Sequence, residues 1–182
     1  MKKLILGLSV IFMVLVSGCV TISIESKVGR DGGIAKYDMM IDTSATVYSL
    51  MDDYDEGESL QERVESQGGT YKEEWDKDNV RIIMTDIVPE DVHTEVGEDY
   101  LIYRETFGEL PTEGVNVHYY LEMPGKIVES NADSVDGNKA EWHMVGADSG
   151  RDIYAKSEVP ALPGISAFSI IGILLIVALI RR

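Results

Sequence analysis

The chain has 182 residues, one cysteine and a formal charge of −16 at pH 7. A single cysteine excludes an intramolecular disulfide, so an exported domain of this size must be held by a packed core. Between residues 19 and 160, twelve basic residues stand against thirty-two acidic ones, a net −20; a field of that sign repels polyanions and excludes nucleic acid as a partner class.

Lys2 and Lys3 precede an apolar run, Leu4 to Val16, broken only by Gly7 and Ser9. A positive start, an apolar centre and small residues at the end make 1–18 a secretory signal. Its end, Val16-Ser17-Gly18-Cys19, resembles the lipobox of bacterial and archaeal lipoproteins. That resemblance implies cleavage after Gly18 and lipidation of the Cys19 thiol.

From Val20 to Glu25 apolar and polar residues alternate with period two, which predicts a half-buried strand. Gly29 to Gly33 supplies a turn, and Tyr37, Met39 and Ile41 mark the returning strand of a hairpin. Asp42-Thr43-Ser44 can cap a helix whose apolar stripe is Val47, Leu50, Met51 and Tyr54. Gly57 interrupts it, and Leu60 and Val64 continue it until Gly68-Gly69. The period of two then returns. It predicts strands over Tyr71 to Trp75, Val80 to Met84, Leu101 to Tyr103 and Val115 to Leu121. Lys126 to Ser130 and Lys139 to Met144 read as a hairpin across an Asp136-Gly137 turn, and Ile153 to Lys156 as a last edge strand. His93 falls in a polar loop after Pro89.

These elements predict an α+β domain: one curved, mostly antiparallel sheet of about eight or nine strands around one interrupted helix. Leu162 to Ile180 is apolar, and as a helix it measures roughly 28 Å, enough to cross a hydrocarbon core of about 30 Å. Arg181-Arg182 place its end on the cytoplasmic side. The organisation is therefore a signal peptide over 1–18, an extracytoplasmic domain over 19–158 and a transmembrane anchor with a basic tail over 159–182.

Met123-Pro124-Gly125-Lys126-Ile127-Val128-Glu129-Ser130-Asn131, followed by Asp136-Gly137-Asn138-Lys139-Ala140-Glu141-Trp142, resembles the strand-turn-strand of the LppM-like lipoprotein domain family. The resemblance extends more loosely from Cys19 to about residue 158. It implies an envelope-facing α/β domain, proposed in that family to bind lipid, without a known catalytic site. Pro163-Gly164-Ile165, the apolar stretch and Arg181-Arg182 are similar to the tripartite Pro-Gly-Phe sorting signals read by archaeal sortase-like transpeptidases, with Ile165 in the aromatic's place.

Residue patterns for chemistry are sparse. His93, His118 and His143 form no metal-ligand spacing, so no metal or cofactor is expected. Aligning Gly57 with a calcium loop's glycine puts Tyr54 at the third position and Arg63 at the twelfth, where oxygen ligands are needed. No Gly-x-Ser-x-Gly elbow occurs. The aromatics Tyr37, Tyr54, Tyr71, Trp75, Tyr103, Tyr119 and Trp142 share the inward register and read as core. A curved sheet closing over the helix can also leave an apolar cavity, lined by Met39, Met51, Tyr54, Met84, Tyr119 and Trp142. The expectation is a non-enzymatic, membrane-anchored extracytoplasmic lipoprotein. It is attached to membrane lipid through Cys19 and the C-terminal helix, with a lipid ligand in the cavity. The alternative is a structural or protein-interaction module of the envelope without a small-molecule ligand.

Overall fold

The computed structural model describes residues 20–54, 59–87, 89, 91–107, 114–146 and 151–159, and of residues 50–54 it describes the backbone. The signal peptide, Cys19, Pro163-Gly164, the apolar stretch over 162–180 and the side chains of Met51 and Tyr54 lie outside the described residues. Among the described residues no helix is long and apolar enough to cross a membrane.

The strands are β1 (Val20–Val28), β2 (Ile34–Ser44), β3 (Thr70–Asp76), β4 (Asn79–Thr85), β5 (Val92–Val96), β6 (Tyr100–Glu105), β7 (Val115–Glu122), β8 (Ile127–Ser130), β9 (Ser134–Asp136), β10 (Lys139–Val145) and β11 (Ile153–Glu158). Two helices, α1 (Ala45–Tyr54) and α2 (Leu60–Ser66), follow β2. The strands form two sheets, not one. Seven are ordered β3-β4-β2-β1-β7-β10-β9 and four β5-β6-β11-β8. The β1–β7 pair is parallel, Val20 opposite Val115 through Lys27 opposite Glu122, and the other pairs are antiparallel.

The alternation seen in the sequence places the cores. Ile24, Val117, Tyr119, Leu121, Trp142 and Met144 point from the larger sheet onto Leu101, Tyr103, Ile153 and Ala155 of the smaller. The same face of the larger sheet continues past β2, where Ile41, Val80, Ile82 and Met84 pack against Val64 of α2 and Tyr48 of α1. The second layer is therefore composite: the four-stranded sheet beside two helices. Local chemistry sets the joints. Ser44 Oγ accepts from the Val47 N–H at the start of α1. Ser59 and Glu62 form a reciprocal capping box on α2. Gly32, at φ +83°, turns β1 into β2 and packs so tightly against β5 that an added Cβ would sit 2.6 Å from Val96 Cγ2.

Several sequence expectations are corrected. The helical region is two helices, and β5 and β9 were not anticipated. His93 lies in β5, not in a loop. β8 does not pair with β10: Pro124-Gly125-Lys126 carries the chain from one sheet to the other, so β8 pairs with β11 and β10 takes the short β9 as its hairpin partner. β11 is interior to its sheet rather than an edge. Trp75, expected in the core, is 54% exposed; it sits on the edge strand β3, with the Tyr48 ring against one side of it.

Candidate functional site

On β6 the inward register carries Leu101, Tyr103 and Glu105 in succession, so the alternation that buries two core residues also buries an acid. Glu105 is 5% exposed. Three phenols converge on its two oxygens. Tyr37, from β2, donates to Oε1 at 2.5 Å. Tyr103 and Tyr119, from β6 and β7, donate to Oε2 at 2.7 and 2.5 Å. The Tyr103 and Tyr119 oxygens are also 2.5 Å apart, and Ser26 Oγ donates to Tyr103 at 3.3 Å. Burial, and after it the neighbouring Glu105 charge, pushes the Tyr37 and Tyr103 phenols far above their ordinary range. Tyr119 moves the same way, through burial, then Tyr103 and Glu105. All three therefore remain protonated donors at neutral pH. The arrangement ties the two sheets together through one acid and satisfies that acid completely.

Tyr37 also lines a surface cavity of about 380 Å³, with Ile34, Ile87, Pro89 and Val92. Lys36 and Asp86 add charge to its lining. Its walls are mostly apolar, and its size is one that ligand sites commonly have.

A second acid repeats the theme at the other side of the larger sheet. Glu73 accepts from Tyr48 Oη at 2.5 Å, Tyr71 Oη at 2.7 Å and Trp75 Nε1 at 2.9 Å. Burial pushes its carboxyl up, but the three donors outweigh this and hold it below the usual glutamate range. The Tyr48 ring meets Trp75 edge-on at 5.3 Å.

The outer face of the larger sheet is covered by neither layer and carries paired charges. Lys27 meets Glu122 at 2.8 Å, Lys36 meets Glu25 and Asp38 at 2.5 and 3.0 Å, Lys72 meets Glu74 at 2.6 Å, and Arg81 meets Asp42 at 2.7 Å. At its centre His118 and His143, opposite each other in β7 and β10, approach to 2.7 Å between Nδ1 atoms. Among the described residues no group of three or more His, Cys, Asp or Glu side chains is placed to hold a metal ion.

The residues expected to line a cavity form two separate pairs. Met39 and Met84 are opposite each other on β2 and β4. Tyr119 and Trp142 are opposite on β7 and β10, their rings edge-to-face at 5.7 Å. Met84, Tyr119 and Trp142 are almost wholly enclosed, at 3%, 0% and 0% exposure. The 380 Å³ cavity is lined by other residues. Glu105, the residue at the centre of the buried cluster, was not singled out from the sequence. Its signal was present, because it continues the Leu101–Tyr103 register.

No protein-family model matches the chain. An uncharacterized protein of Archaeoglobus fulgidus is 41% identical over an alignment of 203 positions, covering 95% of this chain and 93% of that protein. Among solved structures, the NMR structure of the folded domain of Mycobacterium tuberculosis LppM superimposes with a TM-score of 0.52. It covers 76% of this chain and 89% of that one, at 11% identity. At that identity the likeness is one of fold, and it agrees with the family resemblance of the Pro124-Gly125-Lys126 segment, which here crosses between sheets. The chain belongs to the family of the Archaeoglobus fulgidus protein, on a fold shared with the LppM domain.

Proposed function

We propose that this chain is a membrane-anchored extracytoplasmic lipoprotein, not an enzyme, whose domain holds or presents an acyl chain at the mouth between β2 and β5. The observation that carries the reading is the 380 Å³ cavity lined by Ile34, Tyr37, Ile87, Pro89 and Val92. Apolar walls accept methylenes at about 0.8 kcal/mol each. Lipid on Cys19 and a membrane span over 162–180, with Arg181-Arg182 in the cytoplasm, hold the domain at the membrane it samples. A single acyl chain attaches a protein only marginally, so the second tether makes the attachment permanent.

Native mass spectrometry of the full chain extracted from membranes tests this. The expected result is a co-purifying lipid that is lost in Ile87→Asp and kept in Val128→Asp, an exposed site on the far sheet. Mass analysis of the N-terminal peptide reports Cys19 acylation separately. One observation favours the alternative, an envelope interaction module without a ligand: the inter-sheet core around Trp142 and Tyr119 is solid. An empty, acylated, fully folded protein would establish that alternative.

A further inference from the structure

Two of the three histidines meet on the outer face of the seven-stranded sheet. His118 of β7 and His143 of β10 are directly opposite in the antiparallel register, and their Nδ1 atoms are 2.7 Å apart. Nitrogens that close share one proton: one imidazole donates it and the other accepts with its lone pair. The surroundings make His143 the acceptor. Glu141 Oε2 lies 3.8 Å from its Nε2 and favours the ring proton on that nitrogen, which leaves Nδ1 unprotonated. The core fixes the pair from behind. Val117 faces Met144 and Tyr119 faces Trp142, none more than 1% exposed, and a slip of β10 by one residue would turn Trp142 and Met144 outward. No sequence spacing marks this site, because residues 118 and 143 are brought together by strand pairing alone.

We propose that this pair is a Cu(II) site: the ion takes the place of the shared proton, and both Nδ1 atoms coordinate it. The proton leaving His118 Nδ1 is balanced by one taken from water at its Nε2, so both rings stay neutral. The spacing selects the ion. With bonds of about 2.0 Å, nitrogens at adjacent corners of a square plane are about 2.8 Å apart, against about 3.3 Å in a tetrahedron. The observed 2.7 Å fits the plane. Zn(II) prefers the tetrahedron, Cu(II) and Ni(II) take the plane, and of these two Cu(II) is bound more tightly. Among the described residues no third His, Cys, Asp or Glu is placed to join the pair, so water fills the remaining corners. The adjoining outward positions are Ser23, Asn116, Tyr120, Glu141 and Val145, one acid and no base. Asp133 accepts the His143 N–H at 2.7 Å and pairs with Arg151 at 3.1 Å. At these positions a dication meets attraction rather than repulsion.

The test is addition of Cu(II), up to one equivalent, to the full chain in detergent at neutral pH. Electron paramagnetic resonance counts the nitrogens on the ion. The expected spectrum is that of a tetragonal Cu(II) with two coordinated nitrogens. It is lost in His118→Ala and in His143→Ala and kept in His93→Ala, the remaining histidine, on the edge strand β5. Circular dichroism of each variant checks that the sheets are intact. The natural protein decides the matter even if a variant does not fold: a spectrum with oxygen ligands alone, or with a single nitrogen, overturns the site. So does a two-nitrogen spectrum that survives substitution of either His118 or His143, or one that disappears in a folded His93→Ala.

Discussion

Glu105→Met tests whether the buried carboxylate holds the sheets together. Methionine nearly fills the space of the acid but accepts almost no hydrogen bond. Tyr37 loses its acceptor at 2.5 Å, and Tyr103 and Tyr119 lose theirs at 2.7 and 2.5 Å. The last two keep each other, because their oxygens are already 2.5 Å apart. About two buried phenol donors are then left without a partner. At about 1–3 kcal/mol for each unmet donor, the loss is about 2–6 kcal/mol. A native domain has only about 5–15 kcal/mol in total. Urea unfolding followed by circular dichroism reads the difference; at a slope of about 2 kcal/mol per M the midpoint falls by about 2 M, the slope unchanged. The variant Glu105→Met with Tyr37→Phe, Tyr103→Phe and Tyr119→Phe removes donors and acceptor together and is expected within about 1 kcal/mol of the natural protein. The reasoning is refuted if the single variant unfolds at the natural midpoint, or if the quadruple variant is less stable than the single one.

Alkaline unfolding should be steep. The Tyr37, Tyr103 and Tyr119 phenols are held above their unfolded range, so their contribution is complete below about pH 10 and is lost as the pH rises, because the unfolded chain releases these protons first. The slope is about 1.4 kcal/mol per pH unit for each, or about 4 for the three; phenolate absorbance of these residues developing while the fold persists would contradict it. Gly32→Ala forces a side chain into a left-handed backbone, a cost of about 1–2 kcal/mol, and into Val96; thermal denaturation should show more than that loss, and an unchanged midpoint would mean the β1–β2 turn does not clamp β5. Trp142→Ala empties a site with no exposure and strips Asn131 of its indole donor, for about 3–5 kcal/mol, whereas Arg81→Ala breaks an exposed pair with Asp42 and should leave the midpoint of the same urea assay nearly unchanged.

Much of the fold was legible because period two reports which side of a strand faces inward. Val115 to Leu121 and Tyr37 to Ile41 were read correctly on that basis. The same signal cannot say which layer a strand joins. One curved sheet and two packed sheets demand identical alternation, so β8 was given to β10 although Pro124-Gly125 had redirected it. β5, Val92-His93-Thr94-Glu95-Val96, has a polar residue at three of five positions and sits at an edge; no burial pattern marks it. The three residues of β9 are all exposed, and pairing with β10 alone makes them a strand.

The candidate site divides along the same line. An acid in an inward register can be read from sequence, and Glu105 after Leu101 and Tyr103 is one, as is Glu73 between Tyr71 and Trp75. Each is accompanied by tyrosines on neighbouring inward positions, since phenols are the donors that fit an apolar surface while still supplying a proton. Residual space carries no such mark. Met84, Tyr119 and Trp142 are buried in the core, and whether facing side chains interdigitate or leave space depends on the spacing of layers that no single strand encodes. The open mouth at Ile34, Ile87 and Val92 lies where β5 begins beside the start of β2. It follows from how far an edge strand extends, and the buried cluster follows from register; the two meet at Tyr37, whose ring lines the mouth and whose hydroxyl belongs to the core.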